Sequence, residues 1–440
     1  MNIKRIFLLI MVALFLACLT ACDSNQSNTD NMSSKNTLKI YYHDKDIITQ
    51  KALGIFKEKY KDVNVDEKHF SDFDEYKNRM TVDILSGDGP DVILLDSKVF
   101  GSINKLSSKG ILCDLNEFIK KDKDFNISDY NEKVLNAFEQ DGKRFFIPFW
   151  FGVNSFVTSK ESLKRNNIKI DPSNWTYTDL LKTAKKFAGE NKNKYFFYWL
   201  DISDLIRGSG ITFVDYKNKK TFYNSKDFIE ILEIYRELYP YICTEEDIKG
   251  RSYTDLIKDK VFVMKADNGP SPIRFLYDYS MYKSIGEELE VLPFPALKNG
   301  NKVSNAITSY AIAINSQSSN KDNAYNFIKI VLSDDVQKSE NAIILGVIPV
   351  NKKALEDDYK YAMSKKAEDL SFESCPGVPL PSKYKTISDN IVSGIGTCVA
   401  EESEISKIIK EEMPDFLDGK RTAAQTAKAI DDKVNLYLNE

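Results

Sequence analysis

Ser86-Gly-Asp-Gly-Pro90 runs straight into Asp91-Val-Ile-Leu-Leu95. Glycines and a proline within five residues stop a helix and make a turn. The continuous apolar run that follows suits a strand buried on both faces of a parallel sheet. Working backwards, Ser71-Asp72-Phe-Asp-Glu75 opens a helix, with Asp72 and Glu75 at capping-box spacing and Tyr76, Met80 and Ile84 on one face. Val63 to Phe70 reads as a strand. Residues 47–60 read as a helix with Ala52, Ile55, Phe56 and Tyr60 together, and Leu38 to His43 as a first strand. Strand, helix, strand, helix, strand is the α/β pattern.

Open α/β sheets bind ligands beyond the carboxyl ends of their strands. Tyr42, His43 and Asp44 end the first strand, and Asp96 and Ser97 follow the buried one. Asp96 is the sharper candidate, because no other polar side chain follows Asp91 in that run; its plainer role is a helix cap.

The same grammar returns downstream without a sequence repeat. Asn154 to Val157 reads as a strand and Ser159 to Asn166 as a helix. Thr176-Tyr-Thr-Asp179 caps a helix carrying Leu180, Leu181, Ala184, Phe187 and Ala188. Tyr195 to Leu200 is a buried strand ending at Asp201, and Val261 to Met264 ends near Asp267-Asn268-Gly269. A helix covers about Phe228 to Tyr239. Leu292-Pro-Phe-Pro295 breaks regular structure, Tyr310 to Asn315 returns to strand, a helix opens at Ser319-Asn-Lys-Asp322, and Ala423 to Leu438 is helical.

The 440 residues are 42% hydrophobic and 29% charged, which excludes a largely disordered or multiply membrane-spanning chain. A net charge of −4 gives no reason to expect nucleic acid. Two histidines argue against a His-rich metal site, and no metal or cofactor is expected. There is no CxxC pair. Cys113, Cys243, Cys375 and Cys398 read most simply as buried thiols, although export permits a bridge between the nearest pair, Cys375 and Cys398.

Lys4 and Arg5 precede an apolar run from Ile6 to Leu19, too short to span a bilayer but suited to an export signal. Leu19-Thr-Ala-Cys22 resembles a bacterial lipobox, which implies a signal peptide at 1–21 and lipid on Cys22; Cys18 is a weaker acceptor. Residues 22–37 are polar and read as a flexible tether spanning roughly 20 Å. The expected location is the extracytoplasmic face of the cell membrane.

Several landmarks, in order, resemble the family 1 extracellular solute-binding proteins of bacteria. Gly87-Asp-Gly-Pro-Asp-Val92 is similar to that family's G-x-x-P-D-V turn, and Trp175-Thr-Tyr-Thr-Asp179-Leu to its T-W-x-D/E-L helix start. Lys260-Val-Phe-Val-Met264 is similar to G-K-x-A-M, with Asp259 and Val263 in place of the Gly and Ala. Leu292-Pro-Phe-Pro295, Ala324 to Phe327 with Leu332-Ser-Asp-Asp-Val-Gln337, and Gly346-Val-Ile-Pro-Val-Asn351 resemble further family motifs. The resemblance covers about residues 38–440. It implies two α/β lobes of the periplasmic-binding-protein type, joined by crossing strands and a hinge. Pro-marked crossings at Pro148, Pro293/Pro295 and Pro349 place lobe 1 at 38–147 plus 301–350 and lobe 2 at 148–300 plus 351–440. It further implies a monomeric receptor that delivers a small solute, mostly a mono- or oligosaccharide, to an ABC permease. No GxxxxGK[ST] occurs, so ATP would be handled by another subunit.

Sugars need hydroxyl partners and flat apolar faces. The expected ligand contacts are Tyr42, His43, Asp44, Asp96, Trp150, Asn154, Trp199, Asp201, Asn268, Tyr310 and Tyr384. For Trp150, Trp199 and Tyr384, core packing is the alternative, and Trp175 is assigned to packing. An anionic pocket of Asp44, Asp96 and Asp201 would equally favour a cation or an amine, and the resemblance also leaves a polyol open as the solute. Two rival classes remain: a receptor subunit reporting to a membrane sensor, and a lipid-anchored glycan hydrolase using two carboxylates. No GxSxG or HExxH favours the enzyme.

Overall fold

A computed structural model describes residues 36–191, 194–298, 303–338, 347–372 and 375–440. The signal, Cys22 and nearly all of the tether lie outside these residues.

The chain begins β1 (Thr37–His43), α1 (Ile47–Lys59), β2 (Asn64–Phe70), α2 (Phe73–Ser86), β3 (Val92–Asp96) and α3 (Ser97–Phe100). The first helices start where the sequence supplies a cap: Asp46 accepts from Thr49 N–H and Asp72 from Glu75 N–H. Gly87 ends α2 with φ 84°, a left-handed conformation that glycine adopts without a Cβ clash. Then come β4 (Ile147–Pro148), β5 (Trp150–Phe151), β6 (Ser155–Ser159), α4 (Tyr177–Glu190), β7 (Tyr195–Tyr198), α5 (Ile202–Gly208) and α6 (Lys226–Leu238). They are followed by β8 (Ile242–Cys243), β9 (Phe262–Asp267), α7 (Pro272–Ser284), β10 (Leu289–Pro293), β11 (Ser304–Thr308), β12 (Tyr310–Ile314), α8 (Lys321–Val331) and β13 (Ile348–Pro349). The chain closes with α9 (Lys352–Met363), α10 (Lys383–Ser393), β14 (Ile395–Ala400), α11 (Ser403–Leu417) and α12 (Ala423–Asn439).

Two five-stranded sheets result, in the orders β2-β1-β3-β12-β4 and β8-β7-β9-β6-β10. The first is mixed, not wholly parallel as expected: β12 pairs antiparallel with β3, Tyr310 opposite Asp96. The returning strand enters from the opposite end. Likewise Leu292 and Pro293 complete β10 before the chain breaks, because Leu292 pairs with Phe156 on β6.

Each sheet has its own core. The first unites β1, β3 and β12 with α1, α2 and α8, where Phe56 meets Phe327 at 5.8 Å. The second sheet lies between two apolar layers, one formed with α4, α6, α11 and α12 and the other with α7, α9 and α10. The first core also takes in Phe149, Trp150, Phe151, Val153, Ile395, Cys398 and Ala400, residues that the expected boundaries assign to the second lobe. The passages between sheets are strand pairs: β5 with β13, and β11 with β14. Gly152 exchanges backbone hydrogen bonds with Ile307 and lies so near β9 that a Cβ there would meet Asn268 O at 2.3 Å. Glycine is required by that approach. Cys113, Cys243, Cys375 and Cys398 are free thiols.

Candidate functional site

The carboxyl ends of β1 and β3 open into a cavity of about 540 Å³. His43, Asp44 and Asp46 border it from the β1–α1 loop, Phe73 and Tyr76 from α2, Asp96 and Lys98 from the β3–α3 junction, and Phe149, Trp150 and Tyr310 from the crossing strands. Trp150 and Tyr310 stand edge to face, 6.0 Å apart at 89°, and Phe149 is 5.1 Å from Trp150. His43 packs against Phe73 and Tyr76, each at 5.2 Å. Flat apolar walls thus enclose a floor of carboxylates.

Asp96 does serve as a cap, accepting from Lys98 N–H at 2.8 Å, and it faces the cavity as well. Burial pushes its carboxyl up, opposed by the Lys98 N–H and charge. Asp46, equally buried, uses one oxygen on Thr49 N–H at 3.0 Å; Oδ2 has no hydrogen-bond partner. Burial pushes this carboxyl up too. The Tyr76 hydroxyl is buried and also lacks a partner, and burial raises it first, with the charges of Asp46 and Asp96 adding to the effect.

A smaller cavity of about 140 Å³ adjoins across Trp150 and Tyr310 and is shared by both sheets, with Arg207, Asn268 and Glu401 on its far side. Arg207 donates to Asp204 at 2.7 Å and reaches Asn154 and Asn268, both at 3.4 Å. Behind Arg207 and Glu401 lies a third cavity, of about 190 Å³, reaching Glu402. Glu402 accepts from Asn104 at 2.9 Å, and its burial pushes the carboxyl up to about 7. It thereby links the first sheet's segment to the start of α11.

Of the expected contacts, the structure gathers His43, Asp44, Asp96, Trp150 and Tyr310 around one cavity, and sets Asn268 beside the adjoining one. Asn154 and Asp201 stand behind the wall: Asn154 donates to Asp204 O, and Asp201 caps α5 by accepting from Ser203 N–H at 2.8 Å. Three others lie elsewhere. Tyr42 points to the opposite face of β1, towards Glu67 and His69. Trp199 is 59% exposed at φ 57°, stacked on Tyr198, because β7 ends one residue before it. Tyr384 is fully buried and donates to Leu289 O, locking α10 onto the second sheet. The sequence reading missed Asp46, Phe73, Tyr76, Phe149 and Glu401. Asp46 carried a signal, since it stands in the cap position of the first helix beyond a strand end. Among the described residues no group of three or more His, Cys, Asp or Glu is arranged to hold a metal, and no helix is long and apolar enough to cross a membrane.

Residues 51–368 match the model of a family described as bacterial extracellular solute-binding protein. The chain belongs to that family. The solute-binding protein is therefore extracytoplasmic, and its family is a binding family, not a catalytic one. It is 23% identical over 293 residues to a maltotriose-binding protein of Pyrococcus abyssi, a match covering 64% of this chain and 59% of that relative's length. Among solved structures it resembles the sugar-binding protein MalE of Xanthomonas citri, with TM-score 0.69, 12% identity, and 92% and 97% of the two chains covered. It also resembles an ABC substrate-binding protein of Listeria monocytogenes in complex with cycloalternan, with TM-score 0.64, 17% identity, and 92% and 99% covered. These likenesses give the two-lobed fold.

Proposed function

We propose that the protein captures a carbohydrate between its lobes and delivers it to an ABC importer, without transforming it. The observation that carries this is the cavity at the ends of β1 and β3, where Phe149, Trp150 and Tyr310 stand over Asp46 and Asp96. Rings cover the flat face of a pyranose, and a carboxylate accepts from hydroxyls in strong charged hydrogen bonds. The saccharides named for the relatives support the same reading. Arg207, Asn268 and Glu401 would close on the solute from the second lobe as the crossings bend. The lobe division runs through those crossings, near residues 148–153, 293–304, 350 and 395–402. Lipid on Cys22 would hold the receptor beside its permease.

A thermal-shift screen over sugars and polyols tests the reading, because a solute bound only by the native state raises Tm. With a hit in hand, Trp150→Ala should weaken binding by about ten- to a hundredfold through lost stacking and buried area. A Trp150→Ala protein of unchanged affinity overturns the site. Cys22→Ser should leave the membrane fraction; full retention there removes the anchor.

A further inference from the structure

Among the described residues, buried carboxylates differ in what answers them, and Asp91 and Glu402 accept from neutral side chains, Ser318 and Asn104. Asp83, Asp204, Asp267, Asp278 and Glu412 each lie against a lysine or arginine. Asp46 and Asp96, 8% exposed apiece, form no ion pair among the described residues. Both border one cavity. His43 faces it beside them, its Nδ1 accepting from Lys45 N–H, and the side chains of Lys45 and Lys98 border the rim, largely in solvent. A buried charge without a partner is costly, and this floor holds two of one sign.

The free atoms there share a chemistry. Asp46 Oδ2 has no donor, Asp96 uses only one oxygen on the backbone, and Tyr76 Oη is unpartnered at 1% exposure. Together they offer three acceptors. A neutral hydroxyl brings one proton; an ammonium brings three and the missing positive charge. Aromatic rings face the same space, and a desolvated cation is attracted to a ring face. Among the described residues no group of three or more His, Cys, Asp or Glu is arranged to hold a metal, and the ring-lined floor suits an organic cation.

We propose that the captured solute carries a protonated amine, seated on the cleft floor against Asp46, Asp96 and the Tyr76 hydroxyl. The rest of the solute follows the carbohydrate reading above, so the occupant is an amino sugar.

Calorimetry on the full chain in mild detergent, at mildly acidic pH, tests it with four probes: a glucosamine disaccharide, its N-acetylated form, maltose and spermidine. The free amine should bind about tenfold or more tighter than the acetylated form, which lacks the charge. In Asp46→Asn that ratio should fall towards one. Asparagine caps a helix as well as aspartate, so α1 keeps its start. Tighter or equal binding of the acetylated form, a ratio that survives Asp46→Asn, or no binding of any amine overturns the inference; the first two leave the carbohydrate reading intact. Binding of spermidine alone, lost in Asp46→Asn, upholds the amine and removes the carbohydrate.

Discussion

The cleft floor in the first lobe and the ion network under β9 in the second bury the same chemistry to opposite ends. Under β9, Lys265 lies 2.8 Å from both Asp267 and Asp278, and Arg274 2.7 Å from Asp267. Burial opposes the charge of Asp267, yet Lys265 and Arg274 outweigh it and hold the carboxyl down at about 2. On the cleft floor Asp46 and Asp96 form no ion pair among the described residues; the Lys98 charge opposes the rise at Asp96, but burial prevails at both. A buried acid with its cation is part of the fold. Asp46 and Asp96, each with a backbone N–H on one oxygen, keep acceptor capacity that an ammonium would satisfy. The contrast lies in what each strand end meets: β9 leads into α7, which carries Arg274 and Asp278, whereas the ends of β1 and β3 border a cavity.

The comparison breaks most sharply at Lys265. Lys265→Met leaves two buried carboxylates with one cation and should cost about 3–5 kcal/mol of stability. Denaturant titration checks it, and the preference for an amine should survive, since that preference belongs to the other region. Glu402 sharpens the contrast from a third place, the link between lobes. Its carboxyl is raised from 4.5 to about 7 by burial. The stability tied to it is complete below the unfolded value and is lost as pH rises through the folded one. Glu402→Gln should remove that loss and leave the variant more stable than the parent at alkaline pH by on the order of 2 kcal/mol, read from melting curves across pH. Asp46→Asn gives the smallest effect and the most telling sign. Because burial raises this carboxyl, stability in the empty protein falls as pH rises through its titration; the amide removes that penalty. The empty variant should gain about 1 kcal/mol at neutral pH while losing its amine preference. A loss of stability instead would place Asp46 with the structural acids of β9.

Much of the fold was legible because its signals are local. The caps Asp72 and Thr176, the stop at Gly87 and the apolar runs of β3 and β7 act within a few residues, so periodicity and capping chemistry mark them. The site was legible only where it coincides with a strand end. His43, Asp44 and Asp96 qualify, and Trp150 lies at a crossing. Tyr76 and Phe73 were hidden because α2 displays them in the same helical pattern as Met80 and Ile84, and only the neighbouring cavity separates a wall from a core. Trp199 and Tyr384 misled for the opposite reason: an aromatic residue near a strand end or crossing looks alike in sequence whether its ring meets solvent, core or cleft.

The sequence by itself determined the alternation of strands and helices, the turns between them and the family landmarks, since these depend on residues near one another in the chain. Tertiary structure decided which carboxylates are answered by a cation. Lys265 and Asp278, or Asp46 and Asp96, stand many residues apart, and burial strengthens or penalises their charges only once the two sheets and their crossings have excluded water around them.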